Sequence, residues 1–124
     1  MIAEGELQVL AGDDVNIFQT LALGGSGAIA ASGHVHTKLL VDVMGSIARG
    51  DLARAQALWR VLQPLIASVF SEPNPAPIKA LLAHHGLIQA ELRAPMTNAS
   101  PELVDRLMAI SASITAMDLV EQQC

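Results

Sequence analysis

Two carboxylates follow a glycine at Gly12-Asp13-Asp14, a pairing from which acid–base catalysis or a cation site can be built. An aspartate after a glycine at a helix start serves first, however, as a cap for the open backbone N–H groups, and that is the expectation for this pair. His34 and His36 have the alternate-residue spacing of zinc ligands on a strand, but no third ligand stands near them, so a capping or solvent-facing role is expected. His84-His85 falls near a helix end, where imidazoles complement the helix dipole. Gly24-Gly25-Ser26-Gly27 precedes a strand instead of joining a strand to a helix N-terminus, so it is a tight connecting loop and not a phosphate cradle. The sequence has no tyrosine, and its lysines are Lys38 and Lys79. No metal site and no cofactor are expected.

These residues need elements to position them. Leu7, Val9 and Ala11 alternate with Gln8 and Leu10, predicting a strand over 7–11 that ends in the Gly12-Asp13-Asp14 turn. A short helix follows over 15–21, and the small residues Ala28-Ile29-Ala30-Ala31 suit a second strand crowded on both faces. Apolar residues at Val35, Leu39, Leu40, Val43, Met44 and Ile47 have helical spacing, with Gly50 as terminator and Asp51 as the next cap. The period continues through Leu52, Ala55, Leu58, Trp59, Leu62, Leu65, Ile66 and Val69, where Pro64 should kink or divide the helix. Three prolines make residues 72–77 a stiff, non-helical connector. Further helices are expected over 78–85 and from Ser100-Pro101 to about residue 115.

Length and composition fit one packed unit: 124 residues, 52% of them hydrophobic, with a net charge of −5. Scattered basic residues in an acidic chain argue against nucleic acid and against an anionic membrane surface as partners. The single cysteine, Cys124, permits no intrachain disulfide, the start of the chain is acidic where a leader would be basic, and no apolar run reaches the roughly 20 residues that span a bilayer. A soluble, cytoplasmic protein is expected.

In the order Gly12-Asp13-Asp14, Leu23-Gly24-Gly25-Ser26-Gly27-Ala28-Ile29, Phe70-Ser71-Glu72-Pro73-Asn74-Pro75-Ala76-Pro77-Ile78-Lys79 and Leu92-Arg93-Ala94-Pro95-Met96-Thr97, the chain resembles the C-terminal part of the dihydrodipicolinate synthase and N-acetylneuraminate lyase family. The Glu-Pro-Asn-Pro-x-Pro-x-Lys stretch favours the synthase branch. The resemblance implies an α/β remnant of a (β/α)₈ (TIM) barrel: residues 1–49 as its last two βα units, then a three-helix domain over 50–124, mostly helical overall. It also implies pyruvate chemistry through a Schiff base on a barrel lysine. That lysine, the proton-shuttling tyrosine and the carboxylate-binding arginine all belong to earlier parts of the family's barrel, so no catalytic residue is assigned here. Gly12, Asp13 and Asp14 match the turn lining the family's pocket, and Ile29 matches a residue whose main-chain carbonyl faces the catalytic lysine. The family usually has a Val-Ile-Ser-Val type strand where this chain has Ala28-Ile29-Ala30-Ala31.

Two strands cannot close a barrel, and their open edges and apolar faces need a cover. The chain therefore reads as the tail of something larger, completed by copies of itself as a dimer or tetramer, or by a complementary N-terminal barrel fragment. Two functions follow: a lyase fragment, inactive alone, that takes a small keto acid only when complemented, or a non-catalytic oligomeric helical module.

Overall fold

A computed structural model describes residues 7–121, with side chains to residue 117; Cys124 and the acidic start of the chain lie outside the described residues. The elements run β1 (Leu10–Ala11), a 3₁₀ turn (Asp14–Asn16), α1 (Ile17–Ala22), β2 (Gly27–Ala28), a second 3₁₀ turn (Ser32–His34), α2 (Thr37–Ala48), α3 (Leu52–Val69), α4 (Ala76–His84) and α5 (Pro101–Glu121). The strands pair in parallel, Leu10 with Gly27 and Ala11 with Ala28. On either side of those pairs the Ser26 N–H donates to the Val9 carbonyl and the Ile29 N–H to the Ala11 carbonyl, each at 2.8 Å.

Both strands are shorter than their apolar patterns predict. A strand keeps its form only where a neighbour takes its backbone groups. Leu7 is 83% exposed and Leu10 is 48% exposed, while beyond β2 the N–H groups of Ala31 and Ser32 leave the sheet direction for the Asp14 carboxylate. The loop entering β2 is dictated by close packing. A Cβ on Gly25 would stand 2.7 Å from the Thr20 carbonyl oxygen, and Gly24 has φ 95°.

The helices carry the core. In α2, Leu39, Leu40 and Val43 are buried, and in α3 Ala55, Leu58, Trp59, Leu62, Leu65, Ile66 and Val69 are buried, so the predicted stripes face inward except at Leu52, which is 48% exposed in the first turn of α3. Each large aliphatic side chain removed from water contributes about 1.5–3 kcal/mol. Gly50, at φ 78°, ends α2, and the Asp51 side chain accepts the Arg54 N–H at 3.0 Å to start α3. The Phe18 and Trp59 rings, 5.8 Å apart, join α1 to α3. One hydrophobic cluster runs from Ala11 through α1, α2, α3 and α4 to Ile114 of α5.

Three expectations are corrected. Of the two outcomes expected at Pro64, division does not occur: α3 is continuous, because Pro64 lies on its exposed face, where water can satisfy the carbonyl one turn earlier. α4 starts at Ala76 inside the proline run, since a proline in the first helical turn costs no hydrogen bond. α5 continues past residue 115 to Glu121. Ser100 caps α5 as predicted, its Oγ 3.3 Å from the Leu103 N–H. Its own N–H donates to Glu72 at 2.9 Å, and its hydroxyl donates to the other Glu72 oxygen. A carboxylate 28 residues earlier thus completes a reciprocal cap and anchors the start of α5 to the α3–α4 connection.

Two predictions follow from this packing. Gly25→Ala should destabilise the chain by about 1–3 kcal/mol in urea unfolding, because its methyl meets backbone. The hydroxyl and N–H of Ser100, with Arg106 at longer range, hold the Glu72 carboxyl below its usual 4.5. Its stabilising contribution is therefore complete above pH 4.5 and is lost as pH falls through the lower folded value. Glu72→Gln should lower the thermal midpoint at neutral pH, and the gap to the parent chain should narrow on acidification.

Candidate functional site

The parallel pair puts the C-terminal ends of β1 and β2 side by side, so the residues that follow them, Gly12 and Ile29, stand at one level. Gly12 and Asp13 are exposed, and Ile29 is 73% exposed with its side chain toward solvent. Asp14 is 1% exposed. Adjacent carboxylates therefore have opposite environments: one in water, one inside the molecule.

The Asp14 carboxylate accepts the Ser32 N–H at 2.7 Å and the Ala31 N–H at 3.2 Å. This corrects the expected cap. Neither Asp13 nor Asp14 bonds the helix that follows it: Asp13 makes no side-chain capping bond, and Asp14 is itself the first residue of the 3₁₀ turn. Asp14 caps the other 3₁₀ turn, Ser32–His34, reaching across 18 residues of sequence. The two loops that follow the strands are joined by one side chain.

His34 is exposed, as expected. His36 is not a solvent-facing residue or a side-chain cap; it is half-buried at φ 51°, ahead of α2, and its Nε2 shares a 2.9 Å hydrogen bond with the buried Ser111 hydroxyl of α5. A left-handed histidine is tolerated where tertiary contacts fix it. The tie to Ser111, 75 residues away, left no mark in the local sequence. His84 lies in the last turn of α4 and contacts His85 edge-on at 5.8 Å.

The surface formed by Gly12, Asp13 and Ile29 is open. A cleft of about 420 Å³ between α4 and α5 includes His84, Asn98 and Asp105, and one of about 410 Å³ beside α1 and α3 includes Gln19, Trp59 and Phe70; neither contains those residues. Binding a small anion would require a roof over the strand ends, because ligand sites bury most of their ligand. Among the described residues no group of three His, Cys, Asp or Glu side chains gathers as a metal site would. Both lysines lie on helices: Lys38 pairs with Asp42 at 2.6 Å within α2, and Lys79 of α4 donates to the Glu91 carbonyl. Among the described residues no helix is long and apolar enough to cross a membrane.

The sequence model of the dihydrodipicolinate synthetase family matches residues 2–114. The 4-hydroxy-tetrahydrodipicolinate synthase of Haloarcula marismortui is 34% identical over 94% of this chain and 38% of its own length. A second such synthase, from Clostridium acetobutylicum, is 39% identical over 80% of this chain and 35% of its own. The crystal structure of dihydrodipicolinate synthase from Thermotoga maritima superposes with a TM-score of 0.85 at 33% identity, over 89% of this chain and 37% of that one. The chain thus spans little more than a third of the relatives it matches.

The contrast between the two aspartates is directly measurable. Asp14→Ala leaves two backbone donors without a partner and should cost about 2–4 kcal/mol in urea unfolding, whereas Asp13→Ala, at an exposed position without a cap bond, should stay within about 0.5 kcal/mol of the parent.

Proposed function

The chain belongs to the dihydrodipicolinate synthetase family, and we propose on that premise that it supplies the last two βα units and the C-terminal helical domain of a pyruvate-dependent, Schiff-base-forming lyase. In this reading β1, α1, β2 and α2, within residues 1–49, are the last piece of a TIM barrel, and α3 to α5 form the three-helix domain. Gly12, Asp13 and Asp14 and the main chain of Ile29 form one wall of the pocket for a keto acid. The observation that carries the reading is the parallel β1–β2 register, which sets two βα loops side by side at the end of a sheet where such enzymes build their sites.

A wall is not a catalyst. The step that defines this chemistry is attack of a lysine amine on the keto carbon, with loss of water to give a C=N bond. Lys38 and Lys79 are exposed or half-exposed residues of α2 and α4, on neither strand, engaged with Asp42 and Glu91. The reacting lysine is therefore supplied from outside these 124 residues, on the remainder of a longer chain or on a complementary N-terminal fragment. The same partner, or further copies in a dimer or tetramer, would cover the exposed Leu7, Leu10 and Ile29. The setting proposed is the cytoplasm, with no nucleic acid or membrane as partner.

The second reading, a non-catalytic oligomeric helical module, is favoured by the continuous core that α1 to α5 build without further strands. Reductive trapping separates the two. Mixed with an N-terminal barrel fragment of a related synthase, then with pyruvate and borohydride, the chain should yield a fragment whose lysine carries the reduced adduct as a secondary amine. No adduct with any complement would remove the enzymatic reading, and saturable, stereospecific keto-acid binding by the chain alone would count against the module.

A further inference from the structure

We propose that Asp14 is a positioning residue: its carboxylate sets the loop of residues 30–34 and thereby the direction of the Ile29 carbonyl, without touching substrate. The inference rests on the pocket-wall reading above and changes the role of one member of that wall. Ile29 is held from both sides by a single short segment. Its own N–H donates to the carbonyl of Ala11 at 2.8 Å. Two and three residues later, the N–H groups of Ala31 and Ser32 donate to Asp14, three residues beyond Ala11. The peptide that bears the Ile29 carbonyl lies between these anchors, so residues 11–14 fix its orientation as a unit. At the far end of the loop the Thr37 hydroxyl donates to the Gly33 carbonyl at 2.7 Å, which limits drift from the α2 side.

The carboxylate is suited to this and an amide is not. Each of its oxygens accepts one N–H, whereas Asn has one accepting oxygen and would turn an NH₂ group toward the second donor. Being 1% exposed, Asp14 has no access to a molecule in the open site, unlike its neighbour Asp13. A group that acts by aiming another should alter turnover more than substrate affinity, since a displacement of about 1 Å in a reacting geometry can cost on the order of 100-fold in rate.

The test uses the complemented complex described above, with Asp14→Asn and, as a second variant, an amide-to-ester replacement at Ser32 that deletes only the N–H. The expected result has three parts: both variants assemble with the complement at the parent stoichiometry, the Ala31 or Ser32 amide that remains exchanges at least about tenfold faster, and kcat per assembled complex falls about tenfold or more while KM for pyruvate changes less than about threefold. Should Asp14→Asn fail to fold, the ester variant decides. Unchanged exchange in the loop, or a parent-like kcat per assembled complex despite faster exchange, overturns the proposal. A parent complex that traps no pyruvate instead overturns the enzymatic reading beneath it, a distinct failure seen before any variant is made.

Discussion

A buried carboxylate must have its lone pairs satisfied, and in this molecule Asp14 meets that demand with the backbone of a neighbouring loop. Its bonds to Ala31 and Ser32 end β2 after two residues, start the 3₁₀ turn at Ser32, and bring the chain round into α2. The turn, the left-handed His36 and the first residue of α2 follow within six residues of the anchor. Because charge-assisted hydrogen bonds to N–H groups are about twice as strong as neutral ones, one side chain can hold a connection that the two-residue strands alone could not.

The helices make that local arrangement durable. α2 and α3 bury their stripes against each other, α5 packs on α3 and α4, and His36–Ser111 and Glu72–Ser100 tie the middle and the start of α5 to distant segments. The strand pair is the less protected part: β1 and β2 have one neighbour each, and Leu7, Leu10 and Ile29 remain in water. An apolar sheet edge of this kind invites another strand. The surface bearing the candidate wall residues is therefore the same surface whose physics calls for a partner, and the proposed pocket and the proposed assembly are two aspects of one open edge.

Sequence was most informative where structure is local. The α2 and α3 stripes, Gly50, the Asp51 and Ser100 caps and the Gly24–Gly27 loop depend on spacings of a few residues, and they were legible. The residue strings of the resemblance also located the family. What escaped was set by distant partners. Nothing near Asp14 reveals that it serves residues 31 and 32 in place of its own helix, and His36 looks solvent-facing until Ser111 is brought to it. Pro64 shows the converse: a strong local signal for a break is overridden when the proline falls on a solvent face of a helix buried on the other side.

The central claim is that the open β1–β2 edge belongs against other chain, and solution mass tests it most directly. Light scattering over a range of concentrations, on the chain alone and after addition of an N-terminal barrel fragment of a related synthase, should give a discrete dimer or tetramer that converts to a defined complex containing both pieces. A folded monomer at every concentration, unchanged by the added fragment, would contradict the account.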